Sequence, residues 1–447
     1  MNAVLRKNAT GSATRRLSMM LEANRKGEGV GVYSICSANR FVLEAAMQQA
    51  RADGSILLLE STSSQVNQFG GYTGQTPAQF VEFVNELAGR MNFPTERIVF
   101  GGDHLGPYVW SSEPAVSAMS KAEELVRACV LAGYTKIHLD ASMALGDDGK
   151  KGPPVDEVIS QRATALCKVA EQAHATLPPG SPAPLYVIGT EVPVPGGELA
   201  GSSAPETTRV EDLERILELT RRCFAENGLS AAWERVIAVV VQPGVEFGDA
   251  VVFDYKSEKT QALAKFMEKS WSGVFEAHST DYQSGSALTQ MVKDHFAILK
   301  VGPWLTFALR EAVFALASVE EEWLGDRKEV TTSRVRETLE QAMLADPRYW
   351  KNYYRGSDAD LQFARKYSLS DRSRYYWPNP SVEEALQRLL RNLGEEPPPL
   401  SLLSQYLPNQ TAAVRTGELA ADPESLIRHK IQEVIMIYAR ACGGKGF

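Results

Sequence analysis

Cysteine is scarce in this sequence: its 447 residues include five, Cys36, Cys129, Cys167, Cys223 and Cys442, and none forms a CxxC pair. An odd number of scattered cysteines argues against a disulfide framework or a thiolate metal cluster and favours a reducing compartment. No apolar run approaches the roughly 20 residues that a membrane span requires. The polar, basic first residues also lack the apolar stretch of a secretory signal. We therefore expect a soluble, cytoplasmic protein with no membrane contact.

Basic residues are in the minority, with 47 Lys and Arg against 55 Asp and Glu and a formal net charge of −8. Binding to nucleic acid without sequence preference needs clustered cations that displace counterions, so we expect no nucleic-acid partner. The remaining composition, 44% hydrophobic and 23% charged, is typical of a globular protein able to bury a full core.

Three common catalytic motifs are missing. Glycines 27, 29 and 31 precede the first predicted strand, whereas a dinucleotide fingerprint follows a strand. The stretch GDDGKKG at 146–152 does not have the GxxxxGK[ST] spacing of a P-loop, which weakens a P-loop kinase interpretation. The sequence also has no GxSxG elbow, so serine hydrolysis has no support.

What the sequence does contain is a regular alternation of short apolar runs with amphipathic segments. The runs are four to eight residues long with little period-2 alternation, as expected of parallel strands buried on both faces. They are Gly31–Ser37, Ser55–Glu60, Arg97–Asp103, Lys136–Asp140, Leu185–Glu191, Arg235–Gln242, Gly273–His278 and Phe296–Val301. Helical periodicity fills the intervals, at Pro77–Met91, Ala115–Leu131, Val155–Ala173, Arg209–Asn227 and Trp304–Ala317. Eight such units predict an α/β fold, a (β/α)8 TIM barrel, in preference to an open doubly wound sheet.

The pattern changes after about residue 319. Charged helical segments, such as Ser333–Ala345, Ser381–Leu393 and Pro423–Ala441, alternate there with stretches rich in tyrosine and proline. We divide the chain into a barrel with an N-terminal helix, residues 1–319, and a helical C-terminal extension, residues 320–447. The aromatic content of the extension favours packing on the barrel over disorder.

Active sites of TIM barrels form at the C-terminal ends of the strands, so the polar residues there are the candidates. Asp103, Asp140 and Asp281 are the candidate catalytic carboxylates. Three of the six histidines also fall at these ends, and His104, Glu191 and His278 would converge on a Zn²⁺ or Mn²⁺ ion with one position left for substrate. His138 is a further or alternative ligand. The competing interpretation is that these are core histidines bonded to neighbouring carbonyls.

Polar residues that could bind a sugar occupy the same ends. The segment 60–76 is polar and glycine-containing, and its amides and hydroxyls match sugar hydroxyls, although a solvated loop is an equal alternative. Lys300 could hold a phosphate or a sugar hydroxyl, or could be a buried, paired lysine. The lack of an arginine cluster at the strand ends favours an unphosphorylated sugar. The candidate substrate-binding residues are Ser34, Asn39, Glu60, Gln65, Asn67, Gln68, Gln242 and Lys300.

Seven motifs, in this order, resemble one protein family: VYSICSANRFVLEAA, LLLESTSSQVNQFGGYTGQTP, VFGGDHLGPYVW, KIHLDASM, VIGTEVPVPGG, FEAHSTDYQ and ILKVGPWLTFALREAVFAL. The family is that of the non-catalytic subunit of class II D-tagatose-1,6-bisphosphate aldolase. The resemblance implies a TIM barrel and a role in galactitol or amino-sugar breakdown. It also implies that the chain stabilises a separate catalytic aldolase subunit, or acts as a ketohexose C4 epimerase as some relatives do. Some members have been labelled tagatose kinases.

The wider class II aldolases are similar at fewer positions. Their motif on the third strand resembles Asp103-His104, which implies Asp103 as proton donor and His104 as zinc ligand. A later zinc histidine of theirs would fall near His278. Their histidine on the sixth strand has no match, because Gln242 stands there. This difference puts ordinary class II aldolase activity in doubt, although Glu191 could supply the third ligand.

Two hypotheses follow. In the first, the chain is a metal-dependent enzyme that breaks the C3–C4 bond of a ketohexose or its phosphate, which gives aldol cleavage or, after re-addition, inversion at C4. Inversion at C4 by simple enolisation at C2 is excluded, because the C4 hydrogen is not α to the carbonyl. In the second, the chain only stabilises a catalytic partner. A second copy of the chain is a further candidate partner.

Overall fold

A computed structural model describes residues 2–149, 154–189 and 205–443. Its centre is a closed barrel of eight parallel strands, in which each strand pairs with the next along the chain and the last pairs with the first. The strands are β1 (Val32–Ile35), β2 (Leu57–Thr62), β3 (Ile98–Leu105), β4 (Lys136–Leu139), β5 (Leu185–Gly189), β6 (Val236–Val240), β7 (Val274–Ala277) and β8 (Phe296–Val301). The prediction of a (β/α)8 barrel is therefore confirmed, and each observed strand overlaps a predicted apolar run.

Sixteen helices are present in the described residues. Around the barrel they are α1 (Asn2–Arg25), α2 (Arg40–Asp53), α3 (Pro77–Arg90), α4 (Ala115–Leu131), α5 (Asp156–Ala175), α6 (Val210–Glu226), α7 (Ser230–Trp233), α8 (Ser257–Ser270), α9 (Gly285–Lys293) and α10 (Pro303–Leu324). Beyond it follow α11 (Val335–Ala345), α12 (Asp358–Tyr367), α13 (Pro380–Glu395), α14 (Leu400–Tyr406), α15 (Pro408–Arg415) and α16 (Pro423–Ala441). None of the helices described is both long and apolar enough to cross a membrane.

Local sequence explains where the barrel helices begin. Thr76 and Gln79 form a capping box at the start of α3, and Pro77 occupies its first turn. Asn39 caps α2, since its side chain accepts a hydrogen bond from the Phe41 amide. These caps fix the points at which the chain leaves each strand end and enters the next helix.

Helix α1 covers the N-terminal end of the barrel. Its residues Ala13, Leu17 and Leu21 are buried against apolar side chains that point into the barrel, including Val32 and Leu58. The lower half of the interior is therefore an apolar core. This core leaves the opposite, C-terminal end of the strands as the open end of the barrel.

The C-terminal extension packs along one side of the barrel and over its mouth. Helix α16 lies against α2, α9 and α10, and α13 lies against α10 and α11. A buried ion pair joins Arg310 of α10 to Asp371, with Nε and Oδ1 3.3 Å apart. A 3₁₀ turn, Arg372–Tyr376, follows directly and contacts α10 and α11. The division of the chain at residue 319 remains a prediction, and that residue lies within α10.

Candidate functional site

Charged side chains fill the upper half of the barrel interior, and the two-residue period of the strands explains why they point inward. Alternate residues of a strand point to the same side, so Glu60 points inward two residues after Leu58, and Glu276 two residues after Val274. Both Leu58 and Val274 belong to the apolar core beneath. Gly101 makes room at this level, since a Cβ there would lie 2.7 Å from Cγ of Glu60. On both strands the inward-pointing residues therefore change from apolar to charged at the same height in the barrel.

Two buried lysines link the carboxylates of this interior. The Lys136 Nζ atom lies 2.8 Å from Oε1 of Glu60 and 2.6 Å from Oε2 of Glu276. The Lys300 Nζ atom lies 2.7 Å from Oε2 of Glu60 and 3.0 Å from Oδ1 of Asp103. Burial alone would raise the pKa of the Glu276 carboxyl, but Lys136 and Lys300 outweigh it and hold that pKa well below its usual range. Glu276 is therefore ionised inside the protein.

Three histidine rings meet above this network, with centroids 4.9 to 5.3 Å apart. His138 Nδ1 lies 3.1 Å from Oδ1 of Asp103, and His278 Nε2 lies 3.1 Å from Oε1 of Glu276. Burial lowers the pKa of His278 to about 4, which leaves its imidazole neutral at pH 7. A neutral imidazole is the form that binds a metal ion.

His104 is held differently from the other two histidines. Its Nδ1 lies 2.8 Å from Oδ2 of Asp140, whose other oxygen accepts a 2.7 Å hydrogen bond from the Ser142 hydroxyl. The backbone of His104 has a φ of +49°, in a region that residues other than glycine rarely adopt. Burial would lower the pKa of this imidazole, but Asp103 and Asp140 raise it above its usual value. Strained backbone of this kind often occurs at functional sites.

Four of these side chains could hold a metal ion together, because their ligand atoms all lie within 4.8 Å of one another: Asp103, His138, Glu276 and His278. The Nε2 atom of His138 is buried without a hydrogen-bond partner, which is costly unless a ligand takes it. The buried acidic side chains around the histidines also outnumber the buried lysines, so the negative charge is in excess. The carboxylates are Glu60, Asp103, Asp140 and Glu276, and the lysines are Lys136 and Lys300. Nitrogen and oxygen donors with an excess of negative charge fit a divalent ion such as Zn²⁺ or Mn²⁺.

The cluster opens into a pocket at the C-terminal mouth of the barrel. Asp103, His104, His278 and Lys300 form its floor, and loops that follow the strands form its sides. The C-terminal extension contributes to its wall: Arg374 and Tyr375.

Several predicted substrate-binding residues serve other contacts. Asn67 supports the loop after β2, since its Oδ1 accepts hydrogen bonds from the amides of Phe69 and Gly71. The side chain of Gln68 donates to the Lys121 carbonyl on α4. Gln242 accepts from the amides of Gly244 and Val245 in the turn after β6. The structure does not bring these side chains into the pocket.

The remaining predicted residues lie in the pocket, next to it, or outside the described part of the chain. Gln65 and Asp281 line the pocket, and Ser34 donates a 2.7 Å hydrogen bond to Glu60 beneath it. Asn39 lies in an adjoining cavity, and its side chain caps α2. Asp281 accepts hydrogen bonds from the amides of Gly302 and Trp304 at the start of α10, and burial raises its pKa to about 6. Glu191 lies outside the described residues.

Sequence reasoning missed Glu276, Lys136 and Arg374. A signal for Glu276 was available: it stands in an apolar strand two residues before His278, so the period of the strand puts both on one face. Lys136 is the first residue of its strand, a position at which a lysine side chain is usually exposed to solvent. Arg374 lies 50 residues beyond the end of α10 at Leu324, so no spacing rule connects it with the site.

Fold and site together define a class of protein: an α/β barrel with a buried carboxylate–histidine cluster, able to hold a metal ion, at its C-terminal mouth. The chain belongs to the family described as D-tagatose-1,6-bisphosphate aldolase subunit GatZ/KbaZ-like, whose model matches residues 17–443. The resemblance seen in the seven motifs is thereby confirmed. Membership gives the chain a role related to that aldolase.

The chain is also similar to solved structures. A probable tagatose 6 phosphate kinase from Sinorhizobium meliloti 1021 is 41% identical, with a TM-score of 0.83 over 92% of this chain and 100% of that chain. The YdjI aldolase from Escherichia coli K12 is 10% identical, with a TM-score of 0.41 over 84% of this chain and 96% of that chain. The fructose-bisphosphate aldolase from Campylobacter jejuni is 12% identical, with a TM-score of 0.40 over 86% of this chain and 92% of that chain. The last two similarities are too low to bear on activity.

Proposed function

We propose that this protein is a divalent-metal-dependent enzyme that breaks and re-forms the C3–C4 bond of a ketohexose or its phosphate. The outcome is C4 epimerisation between tagatose and fructose configurations, or aldol cleavage. The observation that carries the proposal is the buried group Asp103, His138, Glu276 and His278, of which Asp103 and His278 line the pocket at the mouth of the barrel. A purely structural barrel has no need for buried donors at the floor of a pocket, since each costs desolvation energy.

These four side chains would hold the metal ion, which when bound supplies Lewis-acid polarisation of the ketose carbonyl. The lysine network beneath keeps the ligands in place: Lys136 and Lys300 contact the carboxylates of Glu276 and Asp103. Lys300 also lines the pocket, where its ammonium group can stabilise negative charge on the sugar oxygens.

His104 is the residue we assign to the C4 hydroxyl. It lines the pocket, and its Nδ1 is held by Asp140, so the ring has a fixed orientation as in other histidine–carboxylate pairs. His104 removes the proton from the C4 hydroxyl while the C3–C4 bond breaks, the bonding electrons pass to C3 and the C2 oxygen, and C4 becomes an aldehyde. Re-addition of C3 to the other face of the aldehyde, with return of the proton to O4, inverts C4.

The test combines metal content with turnover. We expect about one Zn²⁺ or Mn²⁺ per chain by mass spectrometry, lost in Asp103→Asn and His278→Ala and retained in His429→Ala, a control on α16 outside the pocket. Tagatose, fructose and their phosphates are then followed by NMR in D₂O. Neither the C3 nor the C4 hydrogen leaves carbon during epimerisation, so the epimer should carry no deuterium at either position. In aldol cleavage the C3 carbanion takes a proton from the solvent, so the released ketone should carry one deuterium at the former C3.

The second candidate is a non-catalytic subunit that stabilises a separate aldolase chain, and the family description as an aldolase subunit favours it. This candidate predicts no bound metal and no turnover by the chain alone. A metal-free chain that converts none of the four sugars would refute the enzyme proposal and favour the subunit.

A further inference from the structure

One guanidinium group in the wall of the pocket has no role in the chemistry proposed above. Arg374 belongs to the 3₁₀ turn Arg372–Tyr376 of the C-terminal extension and lies next to Tyr375. It lines the pocket over the histidine cluster and also an adjoining cavity. Tyr72 and Thr306 line both cavities as well. Arg374 therefore lies at the boundary between the pocket and the adjoining cavity.

The contacts of Arg374 fix its position but leave its charge without a counterion. Its Nη1 donates to backbone carbonyls, that of Asp371 at 3.0 Å and that of Ser370, and its Nη2 donates to the Tyr375 hydroxyl at 2.9 Å. Among the described residues no carboxylate lies within 4 Å of this guanidinium. The nearby Arg310, in contrast, is paired with Asp371.

The acidic groups close to Arg374 make their hydrogen bonds to other groups. The Oδ1 atom of Asp281, on the same pocket wall, accepts hydrogen bonds from the amides of Gly302 and Trp304. The Oδ1 atom of Asp371 is bonded to Arg310 and to the Ser373 hydroxyl, whereas its Oδ2 atom is buried and makes no hydrogen bond. A cation that is largely removed from water and held by neutral partners is a site for an anion, because a charge-assisted hydrogen bond would offset its desolvation.

The two ends of the pocket thus differ in charge. The floor holds the carboxylate-rich cluster, which favours a cation and the uncharged hydroxyl and carbonyl groups of a sugar. The wall formed by the extension carries an unpaired guanidinium and the aromatic rings of Tyr72 and Tyr375, whose centroids lie 4.8 Å apart. A ligand that satisfies both ends is a polyhydroxylated chain with an anionic group at the end remote from the floor.

We propose that Arg374 binds the anionic group of a charged ketose, a phosphate ester or a uronate carboxylate, and so makes the protein select charged over neutral ketoses. The inference rests on the proposed function only in one respect, which is that a ketose occupies the floor of the pocket. It makes the C-terminal extension part of the substrate site. It also supplies the arginine that was missing from the strand ends.

Binding of unreactive analogues to the full chain tests the proposal without any turnover. D-glucitol 6-phosphate, D-gluconate and neutral D-glucitol are titrated by calorimetry into the wild type, Arg374→Gln and Arg374→Lys. Arg388→Gln is the control, since Arg388 lies on α13 and pairs with Glu384 outside the pocket. We expect the wild type to bind one of the two anions about 10- to 100-fold more tightly than glucitol, as typical of a charge-assisted hydrogen bond.

Arg374→Gln should remove this preference, Arg374→Lys should keep part of it, and the control should leave it unchanged. A preference for the phosphate identifies a phosphate ester as the ligand group, and a preference for gluconate identifies a carboxylate. Equal binding of glucitol and both anions by the wild type, or no binding of either anion, overturns the proposal. If Arg374→Gln does not fold, the wild-type ratios and the Arg374→Lys variant still decide the question.

The same experiment separates this inference from the proposed function. Anion binding that depends on Arg374, in a chain that converts no ketose, refutes the retro-aldol proposal and supports the anion site. Turnover of neutral and phosphorylated ketoses at equal kcat/KM, unchanged in Arg374→Gln, supports the enzyme and refutes the anion site.

Discussion

Lys136 is the residue whose removal should disturb the barrel interior most directly. Its ammonium group lies between the carboxylates of Glu60 and Glu276, at 2.8 and 2.6 Å, and its side chain is fully buried. In Lys136→Met, a side chain of similar length fills the same space without the charge. Lys300 then remains the only buried lysine of the network for the same carboxylates.

The expected loss of stability is large. Removing one partner of a buried ion pair typically costs about 3–5 kcal/mol, because the other charge stays buried without compensation. A chain of ordinary stability has only about 5–15 kcal/mol in total. Lys136→Met should therefore fold but unfold at a clearly lower denaturant concentration.

The loss should also depend on pH. Burial pushes the pKa of Glu276 upward, and Lys136 is the largest of the influences that lower it. Without Lys136, we expect the folded-state pKa of Glu276 to rise above its unfolded value. A carboxyl with a raised pKa loses stability as pH rises from the unfolded to the folded pKa. The variant should therefore lose more stability relative to the wild type at pH 8 than at pH 5.

Urea unfolding of chelator-treated protein, followed by circular dichroism at pH 5, 7 and 8, measures these differences. Lys265→Met, at an exposed position of α8, is the matched control and should change stability by less than about 0.5 kcal/mol. The double variant Lys136→Met with Glu276→Gln removes one charge of each sign and should recover part of the loss. A loss below about 1 kcal/mol that does not change with pH would refute the reasoning, because it is far smaller than that of a broken buried pair.

Three further predictions concern the residues that shape the site. Asp281→Asn should gain stability relative to the wild type as pH rises from 4 to 7 in urea titrations, because burial raises the pKa of Asp281 to about 6 and its ionisation destabilises the fold; a pH-independent difference would contradict this. Gly106→Ala should lose more than about 3 kcal/mol in thermal and urea unfolding, since a Cβ there would lie 1.5 Å from the Asp140 carbonyl oxygen; a loss below about 1 kcal/mol would show that the backbone can adjust. Asp371→Asn should cost about 3–5 kcal/mol and increase proteolysis of the extension, because it leaves Arg310 buried without its counterion; unchanged cleavage would argue against this pair as the anchor of the extension.

Most of the fold could be predicted because its signals are local. Each strand is a short apolar run between turns, and the observed bounds fall within one or two residues of those runs. The runs at 31–37 and 296–301, for example, became Val32–Ile35 and Phe296–Val301. Parallel strands need a crossover connection, usually a helix, so eight alternating strands and helices favour a barrel. The short hairpin of Glu246–Phe247 with Val252–Phe253 was not predicted, because two-residue strands carry no periodic signal.

The candidate site was less accessible from the sequence. Polar residues at strand ends identified His104, His138 and His278, and their rings do meet. Which carboxylates accompany them depends on the height of each residue in the barrel, and that follows from the stagger between strands. Glu276 and Asp103 share this height, whereas the carboxylate of Asp281 is turned to the start of α10.

The sequence by itself determined the order of strands and helices, the family and the set of strand ends at which polar groups collect, because each of these is recorded in neighbouring residues. Only the tertiary structure decided that two buried lysines neutralise the carboxylates beneath the histidines. It also decided that Arg374, from the C-terminal extension, faces the same pocket. Contacts of this kind join residues far apart in the chain, and their geometry is set by closure of the barrel and packing of the extension.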